Sequence, residues 1–136
     1  MPVASKVYYH IYNRGAAKQN IFTSDIEYRF FLYKIAQYRI KYSIKIATAC
    51  IMPTHFHLLI RTYSKAENIT QFMKSLQYSY AYFFNKRNKR KGHVFESNFC
   101  YKPIPQCDLP FVIRYIQQNP VRKKLVTRAE DWLYRI

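Results

Sequence analysis

The sequence predicts an α+β fold of the ferredoxin-like, RRM-like kind: an antiparallel sheet with helices on one face, followed by a C-terminal helix bearing a candidate catalytic residue. Three observations predict it. Stretches rich in β-branched and aromatic residues alternate with stretches of helical apolar spacing in the order βαββαβα. His55 and His57 sit two residues apart in an otherwise apolar strand-like run. The length, 136 residues, suits a single domain spanning 1–136 with a modest core.

Residues 7–13 have the composition of a strand, which Arg14-Gly15 breaks. Ser24-Asp25-Ile26-Glu27 matches a capping box, and Ile26, Phe30, Phe31, Ile35 and Tyr38 repeat at helical spacing to about Ile40. Residues 43–52 form a second strand, Pro53-Thr54 a tight turn, and 55–62 a third strand in a hairpin with the second, so the histidines open a central strand. Ile69, Phe72, Met73, Leu76, Tyr80 and Phe83 mark a second helix to about Lys86, and a basic loop, 86–92, follows. Residues 93–101 read as a fourth strand. Asp108 caps a third helix that accepts Pro110 in its first turn and runs to about Asn119, where Pro120 stops it.

Lys and Arg number 23 against 7 Asp and Glu, a net charge of +16 that implies a polyanionic partner. Nucleic acid leads; a membrane surface is the other polyanion, but no apolar run approaches the ~20 residues that span a bilayer. Residues 1–7 lack the hydrophobic segment of a secretory signal, so the expected location is cytoplasmic, with the nucleoid when bound to DNA. Cys50, Cys100 and Cys107 show no Cys-x-x-Cys spacing, which argues against a disulfide framework or a structural zinc site. Two glycines in the chain exclude a glycine-rich phosphate loop, and seven acidic residues argue against a carboxylate-based two-metal nuclease.

In an extended strand His55, His57, Leu59 and Arg61 share one face and Phe56, Leu58 and Ile60 the other, which predicts a face for chemistry and a face for the core. Two neutral imidazoles so placed can hold one metal ion and leave its other positions open; the bland alternative is a pair of half-buried histidines. On the third helix Tyr115 and Asn119 share a face. A phenol titrates near ~10 and needs a nearby cation or base to act as a nucleophile, and a tyrosine on a helix is, taken alone, structural. Arg14, Arg61 and Arg114 flank the proposed site as candidates for a phosphate, each equally readable as a surface charge. Lys86, Arg87, Lys89, Arg90 and Lys91 suit contact with a DNA backbone, against the alternative of a solvated loop. Tyr78 and Tyr82 suit packing or base stacking, and Glu96 suits electrostatic tuning of the site.

Three motifs in order, Met52-Pro53-Thr54-His55-Phe56-His57-Leu58-Leu59, Asn85 with Gly92-His93-Val94-Phe95-Glu96, and Tyr115-Ile116-Gln117-Gln118-Asn119-Pro120-Val121, resemble the one-tyrosine His-hydrophobe-His transposases, in particular the REP-associated tyrosine transposases. The resemblance runs from Tyr8 to Trp132. It implies that His55, His57 and Asn119 bind a divalent metal, Mg2+ or Mn2+, with manganese supporting activity at least as well. It implies that Tyr115 attacks the scissile phosphate of single-stranded DNA, leaving a 5′-phosphotyrosine and a 3′-hydroxyl, at sites that bear hairpins, and that a homodimer is one arrangement of the site. Many relatives carry an arginine where this chain has Asn98, and several continue beyond the position of Ile136. Two rivals stay open: a non-catalytic single-strand binder that stacks bases on its sheet, and a single-strand nuclease that uses a metal-bound water.

Overall fold

The computed structural model describes residues 6–136, in which four strands pair antiparallel in the order β2-β3-β1-β4. The strands are β1 (Tyr8–Arg14), β2 (Ile44–Ile51), β3 (His55–Thr62) and β4 (Cys100–Ile104); the helices are α1 (Asp25–Lys41), α2 (Glu67–Arg87), α3 (Leu109–Gln117) and the short α4 (Asn119–Arg122). The α+β class and the position of the histidines on a central strand are as expected. Residues 1–5, part of the stretch read for a secretory signal, lie outside the described residues. No helix among the described residues is long and apolar enough to cross a membrane.

Alternation along the strands builds the main core. Ile11, Phe56, Leu58 and Ile60 point from the sheet onto Phe31 and Ile35 of α1 and Phe72, Leu76 and Tyr80 of α2, all buried. The opposite face is not left to chemistry alone, which corrects the two-face expectation. Leu59, on the histidine side of β3, is fully buried in a second cluster with Cys50, Met52, Ile104 and Ile116, and α3 covers it. The reason is energetic: burying one such side chain is worth about 1.5–3 kcal/mol, so a leucine there demands a helix over it. The end of that face where β3 begins stays open.

Three local expectations are corrected. The fourth strand lies at Cys100–Ile104, not 93–101. The segment before it loops because buried Asn13 binds it through side-chain chemistry, its Nδ2 donating to the carbonyls of Ser97 at 2.8 Å and Asn98 at 3.1 Å. Pro103 is tolerated there because β4 is an edge strand. At the start of α1 the Glu27 carboxylate accepts from Thr23 N and Thr23 Oγ1, both at 2.7 Å, so the capping carboxylate serves Thr23 while Ser24 Oγ is left without a partner. Pro120 does not simply stop a helix: it sits in the first turn of α4, where its missing N–H costs nothing.

Two further contacts frame the open end of the sheet. Gly15 N donates to Thr54 O at 2.9 Å, tying the end of β1 to the turn before His55. A Cβ on Gly15 would stand 2.5 Å from Gln19 O, so no larger residue fits this crossing. At the far edge the last residues pair with β2: Ala49 N donates to Ile136 O at 3.0 Å, Ile136 N to Ala49 O at 2.9 Å, and Ile51 N to Tyr134 O at 3.0 Å.

Candidate active site

The open end is a cavity of about 640 Å³ lined by residues of β1, β3, α3 and α4. His55 and His57 reach it from β3 because strand alternation puts both on this face. Thr54 Oγ1 lies 3.0 Å from His55 Nδ1, and Asn119 Nδ2 lies 3.0 Å from His55 Nε2. His57 Nδ1 lies 2.9 Å from His10 Nε2. The antiparallel register sets Tyr12 opposite His57 and brings His10 diagonally beside it.

Burial, with Lys123 adding to it, pushes the His55 pKa down to about 4. Burial, then the neighbouring His55 and His10 and the cations Arg122 and Lys123, pushes His57 down to about 3. Burial and Lys102 also lower His10. All three rings are therefore neutral at physiological pH. This is the form in which imidazole binds a metal; Thr54 and Asn119 orient the His55 ring through its two nitrogens, and His10 orients His57 through Nδ1. Asn119, which is only 3% exposed, lines the same cavity and carries an amide oxygen, a donor type that suits a divalent ion. Among the described residues no group of three or more His, Cys, Asp or Glu is placed to hold a metal ion.

Tyr115 stands on the last turns of α3 with its ring centroid 6.2 Å from that of His57 and 6.5 Å from that of His10. Its side chain is 52% exposed into the mouth of the cavity. Arg122 on α4 lies over it, its guanidinium 4.1 Å from the ring centroid, and Nη2 donates to Tyr115 O at 2.7 Å. One chain therefore brings His55, His57, Asn119 and Tyr115 to one cavity.

The expected cations are distributed unevenly. Arg14 lines the cavity, held by Glu96 through Nε and, at 2.9 Å, through Nη2. Arg61 lies at the other end of β3, its guanidinium between the rings of Tyr8 and Tyr63 at 5.8 and 5.2 Å. Arg114 is exposed on α3 and does not line the cavity. Lys86 and Arg87 end α2, where cations complement the helix dipole; Lys89 and Lys91 are exposed beyond it. Arg87 Nε sits 3.4 Å from Glu27 Oε2, and Arg90 is held by Asn85 Oδ1 at 2.7 Å and Gln19 Oε1 at 3.3 Å. None of these five lines the cavity.

Sequence reasoning missed His10, Arg122, Lys18 and Lys123, although the last two line the cavity. The alternation Tyr8, His10, Tyr12, Arg14 was a signal for His10, and Arg122-Lys123 directly follows the Asn119-Pro120 pair.

The class of protein is that of a transposase. The chain belongs to the family described as IS200-like transposases, whose model matches residues 3–119. The structure is similar to that of a REP-associated tyrosine transposase bound to a REP hairpin, with a TM-score of 0.79 at 15% identity over 99% of this chain and 78% of that one. It is also similar to a crystal structure assigned as a transposase from Deinococcus radiodurans R1, with a TM-score of 0.59 at 14% identity over 87% of this chain and 94% of that one. No curated protein sequence matches the chain.

Proposed function

We propose that this transposase cleaves and rejoins single-stranded DNA through a covalent 5′-phosphotyrosine on Tyr115, at sites bearing hairpins, in the cytoplasm on nucleoid DNA. The observation that carries the reading is the Tyr115 ring lying against the His57 ring within one cavity, under the Arg122 guanidinium. In the cleavage step Tyr115 Oη forms a bond to phosphorus as the bond from phosphorus to the 3′-oxygen breaks. The phenol proton is lost to solvent and the leaving oxygen takes one up as a 3′-hydroxyl. Joining is the reverse: a 3′-hydroxyl attacks the phosphotyrosine and releases the phenol. No external energy source is needed, because one phosphoester replaces another.

His55, His57 and Asn119 would hold a divalent ion, Mg2+ or Mn2+, which when bound supplies Lewis-acid stabilisation of the phosphoryl oxygens and the leaving oxygen. Thr54 and His10 orient the two imidazoles, and the low pKa values of His55 and His57 keep each ring neutral, with one nitrogen free of a proton, at neutral pH. Arg14, Lys18 and Lys123 line the cavity with positive charge that attracts the phosphate. Arg122 positions the attacking side chain through its guanidinium over the ring and its bond to Tyr115 O. The basic segment of Lys86, Arg87, Lys89, Arg90 and Lys91, with Arg61 and Arg114, adds backbone attraction outside the cavity. One chain suffices for one cleavage; pairing of two chains in a homodimer would serve the joining of two strands.

Covalent capture tests the reading. End-labelled single-stranded hairpin oligonucleotides, drawn from a diverse pool and mixed with Mn2+, should give a labelled, chelator-sensitive protein band on a denaturing gel, absent in Tyr115→Phe. Cleavage without a band in both proteins would replace the reading with a metal-water nuclease, and binding without either product would replace it with a passive binder.

A further inference from the structure

A second cavity lies beside the candidate active site. It is a groove of about 790 Å³ between α2 and the loop 92–98. Glu96 lines both cavities, and Asn13, in the wall of the site cavity, donates to Gln77 Oε1 in the wall of the groove at 2.8 Å. The two spaces therefore adjoin at the end of β1, with Glu96 in the wall of both.

The rim of the groove is the outer face of α2, where Lys74, Tyr78, Tyr82 and Lys86 follow one another at intervals of four. That spacing stacks them along one helical stripe, about 18 Å from end to end at 1.5 Å per residue. All four are exposed, Tyr78 by 76% and Tyr82 by 63%, while Phe72, Leu76, Tyr80 and Phe84 of the same helix fill the core. Packing, one of the two roles read for this pair of tyrosines, is thus taken by their neighbours. Lys86 Nζ lies 6.0 Å from the Tyr82 ring centroid, and Lys74 and Tyr78 line the groove itself. Lys74 and Gln77 also line a smaller hollow of about 260 Å³ that reaches Tyr101, a further exposed aromatic residue.

Two solvent-facing rings bracketed by two lysines, beside a groove that adjoins the cavity lined by Arg14, Lys18 and Lys123, are the elements of a single-strand platform: rings stack on bases and cations track the backbone. We propose that the α2 stripe and its groove bind the single-stranded DNA that flanks the scissile phosphate, with Tyr78 and Tyr82 stacking on successive bases and Lys74 and Lys86 contacting phosphates. The inference rests on the reading of the protein as a single-strand DNA transposase. It adds a second site, removed from the chemistry, that holds the strand without reading its sequence, because every base has a face to stack.

The test is fluorescence anisotropy with labelled oligothymidylates of about 6 and about 20 nucleotides, lengths chosen against a typical span of roughly 4–16 nucleotides for a single-strand site. Stacking is worth about 1–3 kcal/mol per base, so the double variant Tyr78→Ala, Tyr82→Ala should bind the long strand at least about tenfold more weakly. It should bind the short strand nearly as the wild type does. Tyr78→Trp with Tyr82→Trp should retain long-strand affinity, and the pair Lys74→Gln, Lys86→Gln should lower the salt slope of binding by about 1.4, roughly 0.7 for each phosphate contact to a single strand. Long-strand binding unchanged in the double alanine variant would overturn the inference and leave the transposase reading standing. Self-association lost in that variant, with strand affinity unchanged, would overturn it in favour of an interface between copies. No single-strand binding by the wild type would overturn the reading and the inference together.

Discussion

His10 Nε2 lies 2.9 Å from His57 Nδ1, so one candidate metal ligand is oriented by another imidazole on the neighbouring strand. For His57 Nε2 to offer its lone pair to an ion, the proton must sit on Nδ1 and be donated to His10 Nε2. His10 thus sets the tautomer, a role more often filled by a carboxylate or a backbone carbonyl. His10→Leu is expected to weaken Mn2+ binding about 10- to 100-fold by calorimetry, whereas His10→Gln, whose amide oxygen can accept the same proton, should restore most of the affinity. Equal affinity in wild type and His10→Leu would remove this role.

The low pKa values of His55 and His57 predict how stability responds to acid. The unfolded chain takes up a proton on each imidazole near pH 6.5, while the folded chain resists until about pH 4 and about pH 3, so the unfolded state binds more protons in between. In chelator the melting temperature should therefore fall as pH drops from about 7 to 5, and His57→Phe should flatten that slope. Added Mn2+ should raise the melting temperature at pH 7, because an ion that binds only the folded state stabilises it by mass action.

Arg122 covers the Tyr115 ring at 4.1 Å and donates to Tyr115 O at 2.7 Å, contacts that position the candidate nucleophile. A cation over an aromatic ring contributes about 0.5–2 kcal/mol, so Arg122→Ala should slow adduct formation about 2- to 30-fold and lower the melting temperature by no more than a few degrees. Rapid-quench measurement of the covalent band checks this; an unchanged rate would make Arg122 a bystander.

Glu27 joins α1 to the end of α2. Burial opposes its charge, but hydrogen bonds from Asn88 and Thr23, together with Arg87, outweigh that cost and hold the carboxyl below its usual range. Glu27→Ala should destabilise the fold by about 2–4 kcal/mol in urea titration, since it leaves those donors unpaired. A loss within 0.5 kcal/mol, the scale of an ordinary surface change, would show that water replaces the carboxylate freely.

The sequence by itself determined the element order, the strand that presents His55 and His57, the helix that presents Tyr115, and the positive charge. Each is written in short-range periodicity or in composition, and alternation or helical spacing commits a side chain to a face before any packing occurs. Tertiary structure decided what meets those faces. His10 reaches His57 only through the register of β1 on β3, Ile116 covers Leu59 only because α3 folds back over the sheet, and Arg122 reaches Tyr115 only because α4 restarts at Asn119. The looping of 93–99 and the shift of the α1 cap to Thr23 follow from Asn13 and Glu27 finding partners far along the chain or outside the expected motif. Strand pairing and the satisfaction of buried polar groups are non-local, and local periodicity carries no record of which distant residue will supply the partner.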